Sequence, residues 1–417
     1  MNMKITIIGG GAAGMMAAAW ASKTSPLAHV TILERNEKLG RKVVMTGGGR
    51  CNLTTGTVDV KQLMKNYPRG GEWLKFAMYD FGPKECYEYF ESNGVPLKME
   101  GNRAFPKSEK GEDIIKMFNE IFIKNKVEVL YTKVVQGVRK EGGLFVVDLD
   151  NGDSIKSDKL ILTTGGNAYS KTGSRGDGYT FAKSLGHTIT PLAPTLTSLN
   201  SNEIFIKSLA GVSAEKAKLK LVIGGAAERG GVARGGAGKK PEYEFTGPFL
   251  FTHTGITGPA VFAISAFSAY EKLKKGTTVY VDFVPALNRD QLRAEIEEDP
   301  KAIFTRAVSR YVTKSLAEVF GVPVGKRVNE VGKKEITRVT ELLKNFPIQV
   351  TQRTPGREIV TAGGVSLKEV DKKTMESLIT PGLYFAGELL DVDGLTGGYN
   401  LQIAWATGKL AGESSTS

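Results

Sequence analysis

The sequence predicts an α/β protein built on a Rossmann-like domain that the chain leaves and later re-enters. Three observations predict it. A β-branched run, Lys4 to Ile8, passes into Gly9-Gly10-Gly11-Ala12-Ala13-Gly14 and then into Met15 to Ser22, strong helix formers without a breaker. A second apolar strand, His29 to Leu33, ends at Glu34, twenty residues after Gly14. Between about Pro191 and Pro355 the strand and helix rhythm stops, and it resumes near Arg357.

Each piece of the opening has a physical use. Gly9 allows a tight turn, Gly11 lets backbone approach a pyrophosphate, and Gly14 lets the helix lie close on the sheet. Ala12 and Ala13 complete the turn with them as cofactor-binding candidates, and the N-terminus of the helix that follows faces the phosphates with unpaired N–H groups. Glu34, with Arg35 beside it, stands where a carboxylate accepts hydrogen bonds from both ribose hydroxyls. A 2′-phosphate would be repelled there, so a free 2′-hydroxyl is expected.

The following segment, Glu34 to Thr55, is too rich in glycine for a helix and too polar for core. Lys38, Arg41 and Lys42 precede Thr46-Gly47-Gly48-Gly49-Arg50-Cys51-Asn52. Consecutive glycines free backbone N–H groups and admit a flat ligand, while the cations offset phosphate or ring charge.

Composition narrows the class. At 417 residues the chain is too long for one core, which excludes a peptide hormone or a small stapled scaffold. Glycine makes up 50 of the 417 residues, about 12% against a norm of ~7%. With no three-residue period, that excess reads as tight turns and ligand-approach loops, not collagen. Two cysteines, Cys51 and Cys86, fit no disulfide framework, redox pair or zinc spacing, and no two histidines have metal-ligand spacing. No metal is expected. The opening residues lack a signal peptide's apolar run, and no stretch approaches the ~18 to 20 apolar residues of a membrane span. A cytoplasmic protein without a membrane partner is the expectation. The net charge of +12 serves solubility or favours anionic partners, nucleic acid among them, and its even spread favours solubility.

The chain resembles a known family, the HI0933-like flavoproteins, also described as aminoacetone-oxidase-family or BaiN-like FAD enzymes. The resemblance covers nearly the whole chain. It is carried by Ile7 to Gly14, Gly40 to Thr54, Thr163 to Tyr179, Phe251 to Ala260, Thr361 to Val365 and Phe385 to Gly408. It implies an FAD-binding domain over 1–190 and 356–417, a β-barrel-like inserted domain over 191–285 and 346–355, and a small helical subdomain over 286–345. FAD would lie along the glycine loops. The family pattern places Val134 against adenine, and Gly387-Glu388 at the ribityl or pyrophosphate region.

The residues add to this independently. Lys159 to Thr163 is a buried strand that Thr164-Gly165-Gly166 ends beside the nucleotide. Asp177 opens a helix and either caps it or contacts the ligand. After Gly397-Gly398 a closing helix starts at Tyr399-Asn400-Leu401, and its dipole and first N–H groups can point at the flavin pyrimidine edge. Donors fixed there stabilise the reduced flavin more than the oxidised one.

In the insertion, the glycine-rich Gly224 to Gly238 reads as a mobile loop, although Arg229, Arg234, Lys239 and Lys240 would suit an acidic partner. Arg289 to Val319 and Lys333 to Asn345 show helical spacing, and Phe346 to Gln352 a return strand. His253 is the acid or base candidate, with a purely hydrogen-bonded role as its alternative. Gly247-Pro248 departs from the family, in which a glutamate commonly precedes the Leu-Phe-Thr-His run. Arg50 and Cys51 are candidates to orient an anionic substrate or tune the flavin. Cys51 lacks a resolving partner, which disfavours a dithiol relay.

The expected function is FAD-dependent oxidoreduction, with hydride passing from a small amine or related donor to flavin N5. The alternative is a reductase that uses transiently bound NAD(P)H on an unsaturated small-molecule substrate. A flavin-holding nucleic-acid-binding protein is the non-enzyme alternative.

Overall fold

A computed structural model describes residues 2–224 and 241–417. The glycine-rich connection with Arg229, Arg234, Lys239 and Lys240 falls almost wholly outside those residues. Chain contacts divide the protein into two compact units, Met1–Pro194 with Ile359–Ser417, and Thr195–Glu358.

The first unit is organised by five parallel strands, β1 (Lys4–Ile8), β2 (His29–Leu33), β3 (Glu128–Leu130), β4 (Lys159–Leu162) and β5 (Leu383–Phe385). Their order across the sheet is β5-β4-β1-β2-β3. Ile5, Ile7, Val30, Ile32, Leu160 and Ile161 are buried in strands with almost no polar alternation, as a sheet covered on both faces requires. The chain builds outward from β1 to β3, then crosses to the other side of β1 for β4 and β5. The switch therefore falls between β1 and β4, and ligands of such sheets bind beyond the carboxyl ends of the strands at that crevice. Both the Gly9 turn and the Thr164-Gly165-Gly166 turn leave the sheet there.

Four helices matter for the site: α1 (Ala12–Thr24), the short α2 (Arg41–Met45), α3 (Asp177–Ser184) and α4 (Tyr399–Ser414). The last packs on the first, and Trp405 of α4 is fully buried, stacked on Phe118 and edge-on to Phe90.

The second unit carries a seven-stranded antiparallel sheet, in order Phe346–Gln349, Thr278–Asp282, Ser213–Val222, Glu242–Thr252, Gly255–Thr257, Leu199–Asn200, Gln352–Arg353. Its two edge strands are separated in sequence only by Val350 and Thr351, so the sheet must curl until its edges meet. The helices Arg289–Glu297, Phe304–Val308, Lys314–Val319 and Lys333–Asn345 belong to the same unit. Leu292, Phe304, Leu316 and Leu343 share one continuous core with Leu219, Phe251 and Val281 of the strands.

Candidate functional site

The turn after β1 is shaped by close approach. A Cβ on Gly14 would stand 1.9 Å from the Gly9 carbonyl oxygen, so only glycine lets α1 begin this near the strand. Thr163, just past β4, donates its hydroxyl to the Ile8 and Gly9 carbonyls at 2.9 and 2.8 Å, tying the two sides of the switch together. Gly11 caps α1 without a side chain, and the first intrahelical bond is Met15 N–H to Gly11 O. The N–H groups of Ala12, Ala13 and Gly14 thus lack helical acceptors, and a Cβ on Gly11 would meet nothing within 4 Å. An anion fits that opening.

Glu34 is buried, and its carboxylate is oriented by three donors. Oε2 accepts Gly10 N–H at 2.8 Å, while Oε1 accepts the Asn36 backbone and side-chain N–H groups at 2.8 and 2.6 Å. A carboxylate offers about four lone-pair positions, so one stays open. Arg41 donates to Asn36 Oδ1 at 2.9 Å and so supports Glu34 through an intermediary. Lys133 N–H bonds the Glu34 carbonyl, which brings Val134 to the same edge; the Val134 carbonyl accepts Asp150 N–H. Arg35 pairs with Asp177 at 2.7 Å and donates to Gly173 O at 3.2 Å. Asp177 therefore serves an ion pair across the site, and α3 is capped by Gly176 without a side-chain bond.

The second loop approaches from α2. Thr46 returns its hydroxyl to Val43 O, and Gly47 and Gly48 follow in the left-handed region at φ 61° and 72°. Gly48 faces open space, whereas a Cβ on Gly47 would stand 2.9 Å from Asn52 N. Thr164 packs on Gly178, and Gly166 lies against the Glu388 carboxylate. Glu388 pairs with Lys42 at 2.7 Å and accepts Thr361 N–H at 2.9 Å. Gly387 donates to Thr407 of α4 at 2.9 Å.

The closing helix repeats the opening pattern. α4 is capped by Gly398 at φ 93° without a side-chain bond, and its first intrahelical bond is Gln402 N–H to Gly398 O. Tyr399, Asn400 and Leu401 leave their N–H groups without helical acceptors. The Asn400 side chain clamps Gly394 by donating to its carbonyl and accepting its N–H, at 2.8 and 2.9 Å, which fixes the Gly397 turn. Tyr399 is buried edge-on to Tyr67. Thr54 donates to Gln402 Oε1 at 2.6 Å, and Trp405 donates to Leu53 O at 3.0 Å, which joins α4 to the second glycine loop.

Gly408 and Gly412 of α4 abut Ala13 and Ala17 of α1 in the same sequence direction, so the two helices run parallel. Nine residues separate Gly408 from Tyr399, which sets the start of α4 roughly 13 Å beyond the level of Ala13. Two helix N-termini without side-chain caps thus point the same way, the second roughly 13 Å beyond the first. The open cradles at Gly11 and Gly48 and the free donors at both ends fit FAD.

The family described as HI0933-like protein Rossmann domain matches residues 3–414. The chain belongs to the HI0933-like family. It is 34% identical over 423 residues to the 3-dehydro-bile acid delta(4,6)-reductase of Clostridium scindens, spanning 98% of each chain. It is 28% identical over 412 residues to the ribosomal RNA dihydrouridine synthase of Haemophilus influenzae, covering 96% of this chain and 95% of that one. Among solved structures, the 3-ketosteroid delta1-dehydrogenase of Sterolibacterium denitrificans shares the fold at a TM-score of 0.52 and 13% identity, over 99% of both chains. This HI0933-like protein is an FAD-binding oxidoreductase with a Rossmann-like α/β fold.

The catalytic candidates fare differently from the cradle. In the HI0933-like chain Arg50 stacks on Phe105 and pairs with Glu100 and Glu109 at 2.9 and 3.3 Å, carboxylates that Lys98 also engages, so two cations and two anions balance in one cluster. Cys51 is fully buried, and burial pushes its thiol up to about 12, which keeps it neutral and a packing residue. Both are candidates from the sequence to orient an anionic substrate or tune the flavin; the structure places Arg50 in an ion-pair cluster and Cys51 in the packed interior. His253 lies exposed in the turn between the paired strands Glu242–Thr252 and Gly255–Thr257 of the second unit.

Two acids of the HI0933-like motif, Asp391 and Asp393, are not among the candidate residues read from the sequence. Asp393 is wholly buried and joined by both oxygens to Arg69, and burial pushes its carboxyl up to about 6 against the pull of that guanidinium. Asp391 is also pushed up by burial, and a Thr190 hydrogen bond opposes the shift. Three carboxylates within six residues, Glu388, Asp391 and Asp393, were the available signal. Buried acids need cations, and Lys42 and Arg69 supply two. No helix among the described residues is long and apolar enough to cross a membrane, and no metal-binding group of side chains occurs among them.

Proposed function

We propose that this protein is an FAD-dependent reductase that adds two hydrogens across a carbon–carbon double bond conjugated to a carbonyl, drawing electrons from NAD(P)H. The carrying observation is the pair of parallel helix N-termini of α1 and α4, both without side-chain caps, with open glycine cradles beside them. Bound between them, FAD would supply the hydride chemistry. The N–H groups of Ala12 and Ala13 would hold the pyrophosphate, and Glu34 would accept ribose hydroxyls. The N–H groups of Tyr399 to Leu401 would stabilise negative charge at the far end of the cofactor, an effect that favours its reduced state.

The direction of the reaction is drawn from the relatives. One relative is named a delta(4,6)-reductase of a 3-dehydro-bile acid and the other a dihydrouridine synthase, and saturation of a ring double bond conjugated to a carbonyl is chemistry that suits both names. A second reading of the substrate rests on the Haemophilus relative and the net charge of +12: the double bond would be that of a uridine within RNA.

Anaerobic stopped-flow mixing tests the proposal. Bleaching of the flavin by NADPH or NADH, and its recovery on adding a 3-oxo-4-ene steroid or a uridine-containing RNA, is the expected result. Bleaching by primary amines with no response to either nicotinamide would overturn it in favour of amine oxidation. Retention of RNA at low salt that is lost steeply as salt rises would favour the RNA substrate.

A further inference from the structure

We infer that Tyr169 is the residue that positions the substrate, by stacking its ring on the flat face of the conjugated system; this rests on the reductase reading above. Tyr169 sits in the left-handed region, at φ 60° and ψ 52°, a conformation that bulky residues rarely adopt. A turn alone would be served better by glycine or asparagine. The surrounding structure nevertheless imposes this one. The Tyr169 carbonyl accepts both the backbone N–H and the hydroxyl of Thr172 at 2.8 Å. Upstream, Asn167 N–H is held by Thr361 Oγ1 at 2.7 Å, and Ser174 donates to Gly166 O at 2.8 Å, so the segment is pinned on both sides.

The held side chain has little packing role. Tyr169 is 41% exposed, while most large aromatics of this unit are buried. Its place follows from topology: the chain leaves the carboxyl end of β4 at the switch beside β1 and reaches Tyr169 within seven residues of Leu162. The Lys42 ammonium lies 5.8 Å from its ring centroid and pairs with Glu388. An ammonium has three donors, so Lys42 keeps capacity toward a carbonyl oxygen while paired. An exposed ring held in a costly conformation, next to an anchored cation at the ligand-binding edge of the sheet, matches a planar molecule that carries a carbonyl. Strain that the surroundings maintain is characteristic of ligand-contacting positions.

The test is equilibrium binding to the oxidised holoprotein, followed by perturbation of the flavin spectrum, with 4-androstene-3,17-dione and with uridine as probes. The unsubstituted protein is expected to bind at least one of them. Tyr169→Ala should weaken that binding by roughly tenfold or more, and Tyr169→Phe by less than about twofold. Tyr169→Gly removes the left-handed strain, so its thermal midpoint should equal or exceed the parent's while its affinity falls as in the alanine variant. That split separates positioning from a structural role. Unchanged affinity in the alanine and glycine variants would overturn the assignment, as would equal losses in the alanine and phenylalanine variants, or no binding of either probe by the parent. The reductase reading is decided separately by the nicotinamide reaction, which uses neither probe.

Discussion

A Cβ on Gly408 would stand 2.5 Å from the carbonyl oxygen of Ala13, so α4 lies on α1 backbone against backbone. Helices joined in this way cannot admit a side chain at the contact without separating. Gly408→Val should cost on the order of 3 kcal/mol and release flavin, because separation moves the N-terminus of α4 from its place. Urea unfolding with the retained flavin measured by absorbance checks both effects; an unaltered midpoint would contradict the close contact.

Gly14 faces an even tighter limit, with 1.9 Å available to a Cβ before the Gly9 carbonyl oxygen. Gly14→Ala should therefore yield a protein purified without visible flavin colour, although most of its secondary structure remains. Gly48→Ala is the contrast, since its Cβ would enter open space and only the backbone at φ 72° opposes it. Its cost should be about 1 kcal/mol, with any loss of flavin arising from the occupied cradle. Circular dichroism and flavin content together distinguish the two.

Glu34 accepts N–H groups on both oxygens, so Glu34→Gln must turn an amide N–H₂ toward either Gly10 N–H or Asn36 N–H. Two donors then face each other in a buried place. The expected cost is about 1–3 kcal/mol together with weaker FAD affinity. Titration of the apoprotein with FAD reads the affinity, and parent-like binding would count against the ribose assignment.

His187 bonds Ser377 through Nε2 at 2.8 Å, and Ser377 Oγ already accepts Ile379 and Thr380 N–H groups at 3.0 and 2.7 Å. The Ser377 proton must then point at Nε2, which leaves the proton of neutral His187 on Nδ1. That nitrogen faces Glu369 Oε2 at 3.3 Å, off-line for a full hydrogen bond. Burial pushes the imidazole below its usual value, and Glu369 pulls it the other way. The unfolded chain takes up this proton as pH falls through about 6.5, whereas the folded chain resists it. Stability should therefore fall from about pH 6.5 downward until the folded imidazole also protonates, by at most about 1.4 kcal/mol per pH unit. His187→Gln should flatten this dependence between pH 7.5 and 5.5 in urea midpoints, and an identical slope would exclude His187 as its source.

The order strand, glycine turn, helix, acid was legible because each signal is local: β-branched residues, helix formers and glycines act on their own backbone within a few positions. The closing helix at Tyr399 was legible for the same reason. Partnerships were not. The fold sets Glu100 and Glu109 beside Arg50 and buries Cys51, which raises its thiol, and neither placement follows from local pattern. Lys42 meets Glu388 across 346 positions and Arg69 meets Asp393 across 324, distances over which one sequence offers no rule for pairing charges. Composition and local pattern determined which backbone turns this protein can make. Only the packing of α4 on α1 decided which donors stand together, because burial and neighbouring charge are properties of the assembled chain.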